Sequence, residues 1–517
     1  MRIKYNFILF IILVLCSASC NDFLDELPDN RTELDTEEKI TKILVTAYPT
    51  TSWNFLAEYY SDNTDDNGNK YSIFDRLTSE VYAWKDSYES GNDCAGTFWS
   101  YCYSAVSTAN AALEAIDKMG NPRTLSAQRG EALMCRAYAH FALSYIFCEA
   151  WSEKNADIAL GIPYATRLET TVNPHYERGT IGEVYEKIAK DIEEALPLID
   201  DNLYTVPKYH FNKKAAYAFA ARFYLYYRRY DKAIAYANMV LGDDASHMVR
   251  DWEALGKLSL NDDVQPNAYV DASDKANLLL KTARSFWGLY NGPLTVTCRY
   301  THNITIAKNE TCMSTGVWGD SNNLMKFTAA NYTSVPKVIY RKFPFFYMEY
   351  TDPAQGIGYY NIVESVFNTD ETLMVRAEAY AMLKQYDKAL ADMQVWVNSF
   401  TKSDVQLTTE LVNKFYGDME YYTPTKPTPK KALHPDFIVE EGTQENMIHF
   451  ILHARRIVTL HEGLRWGDIK RYGITVHRRT VQNKVITVTD EMKADDPRRA
   501  IQIPKTSIET GMTPNPR

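Results

Sequence analysis

The sequence predicts a mainly α-helical fold, with paired helices as the scaffold and long irregular loops and a few short strands set upon it. Three observations predict this. EALMCRAYAHFAL at 131–143 recurs as ETLMVRAEAYAML at 371–383, with Glu131, Leu133, Met134, Arg136, Ala137, Ala139 and Leu143 matched identically. AARFYLYYRRYDKAIAYA at 220–237 aligns with RAEAYAMLKQYDKALADM at 376–393, sharing Ala221/Ala377, Tyr224/Tyr380 and the whole Tyr-Asp-Lys-Ala turn. Between about 242 and 365 helical periodicity fades, and Gly, Asn, Thr and aromatics take over, as in SFWGLYNGPLTVTCRYTHNITI.

In both copies of the second match an alanine is followed by tyrosine three residues on and by another alanine twelve residues on. That spacing resembles the tetratricopeptide repeat, in which small residues let two antiparallel helices approach and a large one fills the gap. The turns fall at Arg228–Lys232 and Gln385–Lys388. One such pair cannot bury its own apolar face, so neighbours must stack. The copies here lie more than a hundred residues apart, so their helices must meet from distant parts of the chain. Ala221 and Ala377 are expected at buried helix contacts.

Other helices follow from periodicity and stop signals. Tyr101–Met119 ends at Gly120-Asn121-Pro122. Thr180, with Glu183 three residues later, fits a capping box opening a helix that Pro197 closes. Residues 445–472 are expected to form a last helical segment. TPTKPTPKK at 423–431 reads as a Pro/Lys loop without core-forming residues.

The N-terminus reads as an export signal. Arg2 and Lys4 precede an apolar run from Phe7 to Leu15, followed by Ser17-Ala18-Ser19-Cys20. The run is shorter than the roughly 20 apolar residues that span a bilayer. The junction resembles a bacterial lipoprotein cleavage site, which implies a signal peptide over 1–19 and a lipid on Cys20. No later segment reads as transmembrane, so the remainder is expected to be soluble and tethered. The formal net charge of −10, which becomes −12 once residues 1–19 are removed, argues against nucleic acid and anionic lipid as partners and suits a neutral or cationic ligand. Cys94, Cys102, Cys135, Cys148, Cys298 and Cys312 could pair outside the cytoplasm, but no CxxC exists, so a zinc ribbon is not expected. Cys135 reads as a buried thiol.

Four places together resemble the SusD/RagB-like outer-membrane lipoproteins of the Bacteroidetes. They are the mature start Cys20-Asn-Asp-Phe-Leu-Asp-Glu-Leu-Pro, the segment GIPYATRLETT at 161–171, the helices carrying Arg136-Ala137 and Tyr230-Asp231-Lys232-Ala233, and LHEGLRWGDIKRYG at 460–473. The ending IQIPKTSIETGMTPNPR is similar to the family's close, although its common final aromatic is absent. The resemblance implies a SusD-like fold, with an N-terminal region over 20–270 and a C-terminal region with inserted binding loops over 271–517. It implies a cell-surface lipoprotein on the outer membrane, paired with a TonB-dependent SusC-like barrel, that captures oligosaccharide and does no chemistry. The same role for peptides stays open, as do a lipid-anchored glycoside hydrolase and a scaffold for a protein partner.

A sugar ring offers apolar C–H faces to aromatic rings and hydroxyls to polar side chains. Aromatics in irregular segments are therefore the candidate ligand residues: Trp287, Tyr290 and Trp318 first, with Tyr300 and Tyr332 behind them. In the N-terminal half, Trp84 and Tyr88 are joined by Asp65, Asp66 and Arg76 around the polar run SDNTDDNGN at 61–69. Trp99 and Trp466 lie in helical stretches and read as core. The 61–69 run is not an EF-hand, since Gly68 at position six puts Phe74 at position twelve, and it reads by default as a solvated loop. His449 and His453 lack the HExxH glutamate, and no metal, cofactor or catalytic residue is expected. No GxSxG, Walker A or GxGxxG motif stands in a supporting context.

Overall fold

A computed structural model describes residues 33–72, 74–169, 176–260, 263–292, 297–320, 324–332, 335–344 and 347–517. Cys20 and the segment expected to be an export signal lie outside the described residues. Among the described residues no helix is long and apolar enough to cross a membrane.

Eight long helices form the scaffold: α1 Ala95–Lys118, α2 Ser126–Phe147, α3 Ile181–Ala195, α4 Lys213–Tyr226, α5 Tyr230–Leu241, α6 Thr369–Met382, α7 Tyr386–Phe400 and α8 Thr443–Val458. Their starts are fixed by side chains that accept from otherwise unpaired amides. Thr180 accepts from the Glu183 amide, Asn212 from Ala215 and Asn368 from Glu371. α1 packs on α2 and α2 on α3; α4 pairs with α5 and α6 with α7; α6 also lies against α4, α5 and α8. The distant copies of the sequence match thus meet directly, as their separation required.

The internal match extends to side-chain geometry. Arg228 and Lys384 occupy the same place in the two copies, and both take positive φ, 56° and 58°, to end one helix and start the next. The Lys232 ammonium sits 4.7 Å from the centre of the Tyr224 ring, and Lys388 sits 5.4 Å from that of Tyr380. Arg136 grips Asp191 with two bonds of 2.7 Å, and its counterpart Arg376 grips Asp392 at 2.9 and 2.6 Å. Ala221, Ala233, Ala377 and Ala389 are wholly buried, where a larger side chain would push paired helices apart.

The expected helix at Tyr101–Met119 starts earlier, at Ala95. The expected segment 445–472 is two helices, α8 and Arg465–Arg471. The break at 459–464 contains His461 and Gly463, with φ of 74° and 71°. Gly463 is required there: a Cβ would come within 3.0 Å of the Ala57 side chain and 2.8 Å of Trp53. All six described cysteines are free and buried.

Seven strands concern the surface: β1 Asp65–Asp66, β2 Asn277–Arg284, β3 Tyr300–Thr301, β4 Tyr347–Asp352, β5 Ile357–Asn368, β6 Val476–Gln482 and β7 Val485–Met492. One sheet runs β3-β1-β6-β7, a second β2-β5-β4. In the first, Asp65 pairs with Thr301 antiparallel and Asp66 with Thr480 parallel, so segments from the start, middle and end of the chain share one sheet. In the second, Arg284 stands opposite Asn361, and Tyr359 opposite Glu349.

Candidate functional site

The polar run at 61–69 is not a solvated loop. β1 inserts between β3 and β6, and that placement buries its carboxylates against arginines from the C-terminal third. Asp65 accepts two bonds of 2.9 Å from Arg479, and Asp66 two of 2.8 Å from Arg299. Asp62 is held by Arg465 through two bonds of 2.9 Å and by Lys431 at 2.8 Å. Burial alone would raise the Asp62 carboxyl; Arg456, Arg465 and Lys431 override it and hold it well below the usual range. Lys431 belongs to the expected Pro/Lys loop, which therefore does send a side chain into the interior. Asp65 and Asp66 are thus structural ion pairs and present no open oxygen to a ligand.

Three of the predicted aromatics are also interior. Trp287 is 5% exposed; its indole N–H donates to the His461 carbonyl at 2.9 Å, and Phe55 and Tyr59 pack on it edge to face. Trp318, 2% exposed, lies 5.2 Å from Trp396 and 4.9 Å from His453 between ring centres. Trp84 donates to the Tyr60 carbonyl at 3.1 Å and is covered by the Arg478 guanidinium, 4.0 Å above its ring. None of these indoles has an open face on which a sugar could stack. Tyr300 is likewise buried, 4.5 Å from Tyr82, while Tyr332 is half-buried. Trp99 and Trp466 are buried, as read from their helices.

Of the remaining predicted residues, Tyr290 meets the segment that carries Arg76 and Tyr88. Asp75 caps the helix Arg76–Tyr82 by accepting from the Thr78 amide at 2.7 Å, and its other oxygen accepts from the Tyr290 hydroxyl. Arg76, largely exposed, pairs with Glu80 at 2.7 Å and with Glu89 at 3.2 Å. Tyr88, next to Glu89, is 54% exposed. The segments around 75–90 and 284–290 therefore meet on one surface.

A buried carboxylate holds the second of these segments. Asp93, at φ 65°, accepts from Ser285 Oγ at 2.6 Å and from the Phe286 amide at 2.7 Å. Ser285 Oγ accepts in turn from the Trp287 amide at 2.9 Å, and the Ser285 amide donates to the Tyr360 carbonyl at 3.1 Å. Burial pushes the Asp93 carboxyl up to about 7, against these two bonds, which favour the charged form. The turn is thereby fixed with Trp287 pointing in and Arg284 and Phe286 left half-buried at the surface.

Around that turn lie two aromatic groups on opposite faces of β5, since Tyr359 and Tyr360 are successive strand residues. The Arg284 guanidinium sits 3.9 Å from the centre of the Tyr359 ring and 5.9 Å from that of Tyr101, and donates to the Tyr101 hydroxyl at 3.1 Å. Phe286 packs 5.3 Å from Tyr360. Tyr359 is 40% exposed. Rings held in place with open edges, beside a guanidinium and hydroxyls, supply what a sugar needs at low cost in side-chain ordering. Tyr101, Arg284, Phe286, Tyr359 and Tyr360 were not among the predicted residues. Tyr101 reads as one helical position among many and Tyr359 as one residue of a strand. The alternation of β5, which turns Tyr359 outward, is the signal that could have found it.

A separate cleft of about 750 Å³ runs beside α1, lined by Trp99, Tyr103, Asn110, Arg167, Glu169 and Met512 among others. Several of its polar groups are spent within the fold. Tyr103 donates to the Pro163 carbonyl at 2.7 Å, and the Asn110 amide to Ala165 and Arg167 carbonyls at 3.1 and 3.3 Å. It is the weaker candidate for a polyhydroxylated ligand. No group of three or more His, Cys, Asp or Glu side chains among the described residues is placed to hold a metal ion.

Residues 22–225 match a SusD-like family described as starch-binding associating with outer membrane. A SusD-like protein of Formosa agariphila is 27% identical over 169 residues, which make up 32% of this chain and 30% of that relative's length. The whole chain is similar in fold to solved SusD superfamily proteins. One from Bacteroides thetaiotaomicron has a TM-score of 0.64 at 16% identity, over 92% of this chain and 98% of that one. One from Bacteroides vulgatus has 0.61 at 19%, over 93% and 98%. A SusD-like carbohydrate binding protein from Bacteroides vulgatus has 0.54 at 16%, over 91% and 93%. The chain has the mainly helical, paired-helix architecture of these proteins.

Proposed function

We propose that this chain is a cell-surface lipoprotein that captures oligosaccharide on the face formed by Tyr101, Arg284 and Tyr359 and passes it to a SusC-like TonB-dependent barrel in the outer membrane. Cys20 carries the lipid anchor. The chain binds its ligand without turning it over. The observation that carries the reading is the Asp93-anchored turn, which holds aromatic rings and a guanidinium together at an exposed edge. The junction before Cys20, the fold shared with a carbohydrate binding protein, and the family matched by residues 22–225 support it. Tyr290, Asp75, Arg76 and Tyr88 extend the same surface.

The test is a titration of the purified chain against dietary and host glycan panels and against peptides, with product analysis of every glycan that binds. Saturable binding of a glycan that is recovered intact is the expected result. Binding confined to peptides would move the ligand class and leave capture in place. Cleavage of the bound glycan would overturn the non-enzymatic reading.

A further inference from the structure

The interior arginines Arg136 and Arg376 are matched to the carboxylates of Asp191 and Asp392, and Arg178, Arg478 and Arg499 to backbone carbonyls. Arg284 is matched to neither. No described carboxylate lies within ion-pair reach of it, and the Tyr101 hydroxyl is the acceptor it finds. A guanidinium carries five N–H donors, so most of its fork is left without an acceptor among the described residues. Glu349 stands opposite Tyr359 on the same face of the sheet, yet it accepts from the Asn361 amide at 3.1 Å and does not reach Arg284. The other cation of this surface, Arg76, is already occupied by Glu80 and Glu89.

The position of Arg284 is also fixed. The Tyr359 ring, 3.9 Å away, and the Tyr101 hydroxyl hold the guanidinium from two sides, and the Arg284 amide donates to the Thr50 carbonyl at 3.1 Å. A planar fork pinned between tyrosines, half-buried and open on its remaining edge, is matched to a two-oxygen anion rather than to a single hydroxyl. A chain with net charge −10 gains nothing in solubility from one such cation.

We infer that the captured oligosaccharide is acidic, and that Arg284 reads a carboxylate or sulfate on a sugar whose ring stacks on the neighbouring aromatics. This rests on the proposed capture face and names its ligand class.

The experiment uses matched pairs. Oligogalacturonate is compared with its methyl ester, and a sulfated galactan oligosaccharide with its desulfated form, on the mature chain and on Arg284→Gln and Arg284→Lys. The quantity read is the ratio of affinities within a pair. The wild type should favour the charged member of one pair by about ten- to hundredfold at low salt, less at high salt, and which pair responds separates carboxylate from sulfate. Arg284→Gln should bring the ratio near one, and Arg284→Lys, which keeps charge but loses the fork, should fall between. A wild-type ratio near one in both pairs, or a preference that survives in Arg284→Gln, overturns the inference while neutral-glycan binding leaves the capture reading standing. A wild type that binds no glycan of any kind removes the capture reading and this inference together.

Discussion

Asp93→Asn separates the anchor of the proposed face from its charge. The wild-type carboxyl is buried, and its value of about 7 lies well above the ordinary aspartate value near 3.8. A group raised in this way leaves the fold its full stability below pH 4 and withdraws it as pH climbs through about 7. The gap corresponds to about 4 kcal/mol at full ionisation, taken as an upper bound. Asparagine cannot ionise, but it replaces two acceptor oxygens by one, so Ser285 Oγ and the Phe286 amide must share it. That loss costs about 1–2 kcal/mol. The variant should therefore be less stable than the wild type by about 1 kcal/mol at pH 4, equal near pH 5, and more stable by about 2–3 kcal/mol at pH 8.5. Urea unfolding at four pH values, with the two curves subtracted, reads this directly. A difference that does not change with pH would refute the burial of an ionisable Asp93 and with it the anchoring of the 284–287 turn.

Other outcomes follow from the same physics. Ala377→Leu should destabilise by about 1–3 kcal/mol by overpacking paired helices, with Ala221→Leu alike, and a thermal scan showing no change in either would remove the helix-contact role. Trp287→Ala should cost about 3–5 kcal/mol in denaturant unfolding, the signature of a core residue, and an unchanged midpoint would return that indole to the surface. Cys20→Ala should be released from membranes, and its retention after a high-salt, alkaline wash would rule out the lipid as the sole tether.

The scaffold was legible because its signals are local and repeated. The alanine and tyrosine spacing, the Tyr-Asp-Lys-Ala turn and the cap at Thr180 all act within a few residues of themselves, and each appears in the structure where the sequence put it. The exposure of the candidate aromatics was less legible because it is decided by distant partners. Nothing near Trp287 announces the His461 carbonyl that its indole meets, 174 positions away. Nothing in SDNTDDNGN announces the arginines at 465 and 479 that draw its carboxylates inside. Polarity was read there as solvation, whereas insertion of β1 between two strands makes it a buried ionic hub. Of the residues singled out, Arg76, Tyr88 and Tyr290 do stay at least partly exposed, whereas no local signal marks Arg284 and only strand alternation marks Tyr359.

Titration calorimetry of the wild type, Tyr359→Ala and Tyr101→Ala, each against the glycan the wild type binds best, tests the capture face most directly. Both rings lie partly open beside the anchored turn, so each variant should lose about 1–2 kcal/mol of binding, about five- to thirtyfold, while its unfolding midpoint stays near that of the wild type. Wild-type affinity in both variants would contradict the assignment of ligand capture to this face.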